Sequence, residues 1–379
     1  MTGPLAGLRV VEMAGLAPAP FACTVLADLG ASVIRVDRAR PGADVFTVPG
    51  DTLARSRRSI GVDVKSPAGV DVVLRLVDAA DVFVEGFRPG VAERMGLGPS
   101  VLLDRNPRLV YGRMTGWGQD GPLAPTAGHD INYIGIAGAL GATGPADAPP
   151  VPPVNFLGDF GGGGLLLAMG VLAALFERIG SGRGQVVDAS MVDGAALLTT
   201  HLHGLRAAGL WGAARGANLL DGGAPFYGTY RAADGRYVAV GAIEARFWTD
   251  LLRVLDLDEG SLPDRMNPRN WPAIREVLAA RLATRTRDEW AKLAEGTDAC
   301  LTPVLSPWEA AEHPQNAARG TFVEVDGVVQ PAPAPRFDRT PAGSPRASRG
   351  VGADTDEVLG ELGFGDAEIA SLRGDGVVG

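Results

Sequence analysis

The sequence predicts an α/β protein with a large domain built on a parallel sheet and a smaller α+β domain. Up to Met114, short apolar and β-branched runs alternate with helical patterns, which is typical of β-α-β units whose strands pair in parallel. Later in the chain, two short strands are separated by Asp234-Gly235, which is a strong signal for a β-hairpin. Helical patterns follow this hairpin, and the change of pattern indicates a second domain.

The elements of the first domain follow the length and spacing of the apolar runs. The predicted strands cover residues 8–13, 32–36, 60–64, 81–85, 109–114 and 185–191, and the predicted helices cover 21–29, 69–79 and 192–208. This order predicts a Rossmann-like sheet. The loop after the first strand, Ala14 to Pro20, has one glycine and two prolines, whereas a dinucleotide site needs the pattern G-x-G-x-x-G. An NAD or FAD site is therefore poorly supported.

The second domain is predicted to follow a glycine-rich linker. Strands are predicted over 227–231 and 236–241, and helices over 247–255, 271–282, 290–295 and 307–313. Residues 330–353 are rich in Pro, Ala, Arg and Gly and predict an extended return, before short helices over 354–362 and 366–372.

Composition and charge limit the classes of function. The chain has 379 residues, 46% hydrophobic and 21% charged, and a net charge of −9, which argues against a nucleic-acid or anionic-membrane surface. Two cysteines exclude a disulfide framework and make a cytoplasmic location the default. The N-terminal apolar run contains Arg9 and is followed by Glu12, which indicates a strand rather than a signal peptide. No Cys/His cluster has zinc spacing, so no metal is predicted.

One apolar run, Gly161 to Phe176, resembles a membrane span in composition. It is shorter than the roughly 20 residues that a bilayer requires, and it opens with four glycines. We therefore expect a buried core helix and no membrane partner.

Two segments contain candidate catalytic residues. His129 lies in GHDINY, within a region rich in Gly, Pro, Asp and Ala over 119–153, and long loops of this kind usually carry function. Asp159 precedes four glycines at the start of the apolar helix. It fits an N-cap, but four glycines cost helix stability, so we also expect a large group to approach the backbone there.

Basic residues recur after successive predicted strands. They are Arg35, Arg38, Arg40, Arg57, Arg58, Lys65, Arg88 and Arg94. The carboxyl ends of parallel strands meet at one edge, where open α/β sheets bind ligands. The residues alone leave two interpretations open, a solvated face or a site for a ligand with several phosphates.

Eight segments together resemble the family III CoA-transferase superfamily, and within it the α-methylacyl-CoA racemases. In order they are DLGASVIRVDR (28–38), RRSIGVDVKSPAG (57–69), VEGFRPGVAERMGLGP (84–99), YGRMTGWGQDGP (111–122), GHDINY (128–133), GDFGGGG (158–164), GQVVDASMVDG (184–194) and NLLDGGAPFYGTY (218–230). Each segment alone is modest, and their order over nearly the whole chain makes the resemblance specific.

The resemblance implies a Rossmann-like large domain that the C-terminal segment completes, in a homodimer whose two subunits interlock like links of a chain. We expect the large domain over 1–200 and 330–379, a linker over 201–224 and the small domain over 225–329. The implied substrate is an acyl-CoA thioester, so CoA is part of the substrate and no separate cofactor is expected. The residues implied to hold it are Arg38, Val62, Lys65, Gly86, Phe87, Arg88, Arg94, Gly128, Asp130, Ile131, Asn132 and Tyr133.

The implied activity is that of an isomerase of lipid metabolism, which interconverts (R)- and (S)-2-methylacyl-CoA through an enolate. Such a reaction needs an acid/base group on each face of the α-carbon, and the resemblance assigns these roles to His129 and Asp159. Glu244, in GAIEARF, would support the histidine across the dimer. Asn155 and the Asp130 backbone N–H would stabilise the enolate oxygen.

The main alternative shares the fold. Family III CoA-transferases use the equivalent aspartate, here Asp159, as a nucleophile that forms a mixed anhydride and then an enzyme-CoA thioester. They need no histidine base, so the pairing of His129 with Asp159 favours the racemase, as does Gly86 where the transferases tend to have asparagine. A non-catalytic acyl-CoA binder and a dehydrogenase-like protein are further alternatives, and the missing glycine pattern argues against the second.

Overall fold

A computed structural model describes residues 2–40, 51–212 and 214–379. The strands are β1 Arg9–Met13, β2 Ser32–Asp37, β3 Arg58–Gly61, β4 Val82–Glu85, β5 Val110–Thr115, β6 Val186–Ser190, β7 Tyr227–Arg231, β8 Tyr237–Gly241, β9 Leu301–Pro303, β10 Phe322–Val325 and β11 Val328–Pro331. The α-helices are α1 Pro18–Asp28, α2 Pro67–Asp78, α3 Val91–Arg94, α4 Pro99–Arg105, α5 Asp130–Ile136, α6 Leu166–Ser181, α7 Met191–Leu198, α8 Thr200–Ala207, α9 Ala245–Leu255, α10 Trp271–Leu282, α11 Arg287–Ala294, α12 Pro314–Arg319, α13 Thr355–Glu361 and α14 Asp366–Gly374. A π-helix, Phe156–Leu165, leads directly into α6, and short 3-10 helices occur at Thr52–Ala54, Leu140–Ala142, Glu259–Ser261, Pro268–Asn270 and Ala310–Glu312.

The main sheet has six parallel strands in the order β3-β2-β1-β4-β5-β6. This confirms the predicted Rossmann-like parallel sheet. The strand order reverses between β1 and β4, and open α/β sheets bind ligands outside the carboxyl ends of the strands at such a point. Here those ends lead into the loops that follow Met13 and Glu85.

Both faces of the sheet are covered by helices, as expected for parallel strands. The apolar core on one face contains Phe83 and Tyr111 together with residues of α2, α4, α13 and α14. The core on the other face contains Val82 and Val84 together with residues of α1 and α6. Successive residues of β4 thus point to opposite faces, which is the period of a strand.

The C-terminal segment returns to the edge strand β3. The Ser59 N–H donates to the carboxylate of Asp354 at 2.8 Å, and the Gly379 N–H donates to the carbonyl of Gly61 at 3.0 Å. Val62 and Val378 form an antiparallel bridge. These bonds give the edge of the sheet partners from the end of the chain.

The chain divides into two compact units. The first comprises the described parts of 1–137, 154–198 and 317–379, and the second comprises those of 138–153 and 199–316. Residues 138–153 thus group with the second unit, while 317–329 group with the first. The domain boundaries expected from the sequence stay a prediction.

The second unit contains the predicted hairpin. Strands β7 and β8 pair antiparallel, and β9 joins them on the other side of β8. The core of this unit is built from buried side chains such as Phe226, Trp248 and Trp290. A small antiparallel sheet with helices confirms the expected α+β character.

Three local predictions are wrong. The helix expected over 192–208 is two helices, α7 and α8, which are separated at Thr199. The region 119–153, expected as a loop, contains α5. The helix expected over 307–313 is a 3-10 turn followed by α12.

The long apolar helical run is buried on one side only. Leu167 and Val171 are fully buried, whereas the side chains of Phe176 and Ile179 are 79% and 81% exposed. The expectation of a core helix therefore holds for part of its surface. Among the described residues, Phe156–Ser181 is the one helical run with the length and composition to cross a bilayer, a test that core helices of globular proteins also pass.

Candidate active site

His129 lies at the start of α5, where it is the N-cap residue with extended backbone. Its N–H donates to Oδ1 of Asn132 at 3.0 Å, so a side chain of the segment GHDINY binds the backbone at the start of the helix. The imidazole side chain is exposed, as an acid/base group that meets a substrate must be.

Asp159 lies inside the first turns of the π-helix rather than at its N-cap, which is Asn155. The N-cap interpretation of Asp159 is therefore wrong, because the N-cap lies four residues earlier, at Asn155. Nδ2 of Asn155 donates to Oδ2 of Asp159 at 2.9 Å.

The environment of Asp159 favours its protonated form. Burial raises the pKa of this carboxyl and the nearby charge of Asp130 raises it further, while the Asn155 hydrogen bond and a positive charge on His129 lower it. The Asp159 N–H donates to the side chain of Asp130, the residue next to His129, so the two predicted acid/base groups lie in the same neighbourhood.

Asp130, the first residue of α5, joins the two segments. Its Oδ2 accepts the backbone N–H of Gly158 at 2.6 Å and that of Asp159 at 2.8 Å. The carboxylate is buried, with the residue 6% exposed. The sequence analysis used only the backbone of Asp130 and missed this role of its side chain.

Tyr133 forms one wall of this region. Its hydroxyl donates to the carbonyl of Gly128, and its ring meets Trp117 edge to face, with centroids 4.7 Å apart. Burial and the charge of Asp159 raise the pKa of Tyr133, and Arg88 lowers it. Arg88, from the loop after β4, therefore lies within electrostatic reach of the same site.

The four glycines after Phe160 are explained by the protein's own backbone. A Cβ on Gly162 would lie 2.6 Å from the N atom of Ala195, and a Cβ on Gly164 would lie 2.7 Å from the carbonyl oxygen of Pro18. A Cβ on Gly194 would in turn overlap the backbone of Gly162. The large group expected to approach these glycines is thus the backbone of α7 and α1.

The loop Gly86-Phe87-Arg88 is held by a buried ion network. The Phe87 N–H donates to Glu85 at 2.6 Å, Nε of Arg113 donates to the same carboxylate at 3.0 Å, and Arg113 also pairs with Glu93 at 2.9 Å. Glu85 is fully buried. The sequence analysis did not identify Glu85 or Arg113 as parts of the site. The two residues become neighbours when β4 pairs with β5, where Glu85 lies opposite Arg113.

The predicted basic residues separate into two groups. Arg57 pairs with the buried Glu12, Arg35 pairs with Asp37 at 2.8 Å, and Arg58 pairs with Glu361 at 2.7 Å, so these three contribute to structure. The second group keeps exposed side chains near the carboxyl edge of the sheet and consists of Arg38, Arg40, Lys65, Arg88 and Arg94.

Lys65 and Arg94 line one cavity. It has a volume of about 400 Å³ and is completed by Val64, Ser66, Pro67, Val70, Val91 and Met95. The two cations and the apolar wall suit a ligand that carries both an apolar and an anionic group.

The remaining predicted residues differ in exposure. Gly86, Ile131 and Asn132 are exposed, and Phe87 and Gly128 are half-buried. The side chain of Val62 is in the core, so a ligand could meet only its backbone. Glu244 lies in the second unit as the N-cap of α9, with its side chain exposed. The structure thus brings His129, Asp130, Tyr133, Asn155 and Asp159 together within the first unit.

The whole chain is similar to several known proteins. The chain is 48% identical to α-methylacyl-CoA racemase of Mus musculus over 378 residues, which is 99% of the chain and 97% of the relative. It is 45% identical to α-methylacyl-CoA racemase of Homo sapiens over 377 residues, with the same coverage. A crystal structure of a CAIB/BAIF family protein from Brucella suis superposes with a TM-score of 0.81 at 27% identity, over 96% of this chain and 100% of that one.

The profile of CoA-transferase family III matches residues 5–355. This match, the relatives and the six-stranded sheet confirm the resemblance that the sequence segments indicate. The chain belongs to CoA-transferase family III.

Proposed function

We propose that the protein is a racemase that interconverts (R)- and (S)-2-methylacyl-CoA thioesters. The observation that carries this proposal is the juxtaposition of His129 with a half-buried Asp159, whose pKa burial raises. The identity with the mouse and human α-methylacyl-CoA racemases supports the same activity.

The reaction needs one group that removes the α-proton and another that returns a proton to the opposite face of the planar enolate. A carboxyl group whose pKa is raised keeps its proton to a higher pH than an ordinary aspartic acid, which suits a proton donor. In one direction His129 removes the proton and Asp159 returns one, and in the other direction the roles are reversed.

The enolate oxygen requires a hydrogen-bond donor that is already in place. As the first residue of α5, Asp130 has no intrahelical acceptor for its N–H, so this backbone group is free to bind the thioester oxygen. Asn155 is committed to the carboxylate of Asp159. We therefore assign Asn155 mainly to orienting Asp159 and Asp130 N–H to the enolate.

The CoA moiety would bind along the carboxyl edge of the sheet. Arg38 follows β2 and the loop Gly86-Phe87-Arg88 follows β4, next to the point where the strand order reverses. Lys65 and Arg94, in their shared cavity, would bind a phosphate group of CoA. Gly128, Ile131, Asn132 and Tyr133 would border the thioester end, and no separate cofactor is proposed.

An interlocked homodimer is part of this proposal. The first unit exposes large apolar side chains on the helical run that follows Asn155, among them Leu165, Met169, Phe176 and Ile179. Burial of these side chains against a second subunit would remove their cost of exposure to water. In that dimer Glu244 would support His129 of the other subunit.

A cytoplasmic location is proposed on the two cysteines. Cys23 and Cys300 are both free thiols, as expected in a reducing compartment. Fractionation of cells that express the tagged protein tests this directly.

The decisive experiment is incubation of a single enantiomer of a 2-methylacyl-CoA with the enzyme in D₂O. A racemase introduces deuterium at the α-carbon while optical purity is lost. A transferase instead moves CoA to a free acid through Asp159, without either change. His129→Ala and Asp159→Ala serve as controls, and a variant that racemises as fast as the wild type would refute the residue assignment.

A further inference from the structure

Asp130 differs from the other residues of the site because its side chain is buried and its bonds reach another segment. The carboxylate belongs to α5, whereas the two N–H groups that it accepts, those of Gly158 and Asp159, belong to the π-helix 28 and 29 residues later. N–H groups in the first turn of a helix have no intrahelical acceptor. Asp130 supplies that acceptor from outside the helix.

The bonds connect the backbones of the two acid/base groups. Asp130 is the immediate neighbour of His129, and one of the amides that it binds is that of Asp159 itself. Oδ1 of Asn132 accepts the His129 N–H at 3.0 Å. Movement of the π-helix relative to α5 would therefore have to break the two bonds to Asp130.

The sequence around Gly158 is adapted to this contact. A Cβ at position 158 would lie 2.5 Å from Oδ2 of Asp130, which is too close for any real side chain. Any other residue at 158 would have to displace the Asp130 carboxylate from its present position.

The carboxylate also acts through its charge. Oδ1 of Asp130 is buried and has no hydrogen-bond partner among the described residues. The charge is therefore offset mainly by the two amides, and it raises the pKa of the neighbouring Asp159. Position and charge have separate consequences, which two substitutions can distinguish.

We propose that Asp130 is a positioning residue, whose carboxylate sets the placement of Asp159 relative to His129 through the Gly158 and Asp159 amides. The inference rests on the proposed racemase function. Asp130 acts in it twice, because its own N–H faces the substrate oxygen while its side chain holds the proton donor.

Two variants test this role by α-deuterium exchange into each enantiomer of a 2-methylacyl-CoA. Asp130→Asn keeps an acceptor oxygen for both amides but removes the charge. We expect the acidic limb of its pH profile to shift to lower pH, because the charge that raises the pKa of Asp159 is removed. Asp130→Ala removes the acceptor as well, and we expect kcat to fall at least tenfold while KM changes by less than about twofold.

If Asp130 did not position Asp159, the two variants would differ from these expectations in kcat or in the pH profile. Wild-type kcat in Asp130→Ala, or an unshifted acidic limb in Asp130→Asn, would overturn the inference. Should Asp130→Ala fail to fold, as judged by circular dichroism, the pH profile of Asp130→Asn decides alone.

A second readout separates this inference from the proposed function. The carboxyl carbon of Asp159 is titrated by ¹³C NMR, with Asp159→Asn used to assign the signal. A lower pKa of Asp159 in Asp130→Asn supports the inference and an unchanged pKa overturns it, whether or not the wild type racemises. Absence of exchange in the wild type refutes the proposed function only.

Discussion

The amide of Asn155 donates a 2.9 Å hydrogen bond to the carboxylate of Asp159, four residues further along the π-helix. Because this bond stabilises the ionised form, it lowers the pKa of Asp159 against the larger, opposite effect of burial. Asn155 therefore limits the increase in the pKa of Asp159 that burial causes.

Asn155→Ala should raise the pKa of Asp159 further. In the direction in which Asp159 removes the proton, the rate rises with pH as the carboxyl ionises, so the acidic limb of kcat/KM should move to higher pH. A shift of one unit would reduce the rate on that limb about tenfold, which is equivalent to about 1.4 kcal/mol. Asn316→Ala, which removes a side-chain amide that donates to the carbonyl of Ala310, is the control, and a limb that stays in place in Asn155→Ala contradicts the assignment.

Gly194→Ala should destabilise the protein, because its Cβ would overlap the backbone of Gly162. Overpacking of this kind typically costs about 1–3 kcal/mol, and we expect a clearly lower Tm in thermal unfolding followed by circular dichroism. Gly204→Ala makes the same change within α8, where no heavy atom lies within 4 Å of the added Cβ. It should be neutral or stabilise by up to about 1 kcal/mol, and equal Tm values for the two variants would refute the close helix approach.

Lys65→Ala should weaken the binding of acyl-CoA without changing the chemistry. The chain has two lysines, of which Lys65 lines the cavity with Arg94 and Lys292 pairs with Glu295 at 2.8 Å on the surface of the second unit. We expect KM to rise several-fold at low salt with kcat unchanged, and the difference to shrink as salt is added. Lys292→Ala should leave both constants as they are, and a similar KM effect in the two variants would mean that the cavity does not bind the substrate.

Arg57→Ala should destabilise the first unit strongly. Arg57 pairs with Glu12 inside the protein, with side chains 1% and 0% exposed, and removal of one partner from such a pair typically costs about 3–5 kcal/mol because a charge stays buried and unpaired. Urea unfolding measures the loss. The exposed pair of Arg253 with Asp250 provides the control, since Arg253→Ala should cost less than about 1 kcal/mol.

The replacement of both charges checks the cause of that loss. In Arg57→Met combined with Glu12→Leu, no charge is left buried, and much of the stability lost in Arg57→Ala should return. A double variant as unstable as the single one would show that packing rather than the unpaired charge dominates.

The sequence was sufficient to predict the parallel sheet, because strands such as β1 and β4 are short, apolar and separated by helical periods that are visible locally. The ends of the elements agree with the predictions to within a few residues, as in β2, predicted over 32–36 and observed at Ser32–Asp37. The candidates His129 and Asp159 came from residue type and from the resemblance, and the structure places them in the same neighbourhood.

What the sequence could not reveal depends on contacts between distant segments. The glycines at 162 and 164 are required by Gly194 and Pro18, and no local pattern records which backbone will approach. The π-helical hydrogen bonding of Phe156–Leu165 is likewise invisible to a pattern of apolar residues, so Asp159 was given the N-cap position that belongs to Asn155. The buried role of Asp130 requires knowledge that α5 and the π-helix meet.

The return of the last residues to β3 has a consequence for the order in which the molecule matures on the ribosome. Val358, Leu359 and Val378 belong to the same apolar cluster as Val11 and Ile60, yet they are translated after every residue of the second unit. Domains generally acquire structure as whole units while synthesis proceeds. The second unit can therefore complete its core before the first unit does, because the first unit lacks α13, α14 and the residues that bond to β3 until positions 354–379 have been translated.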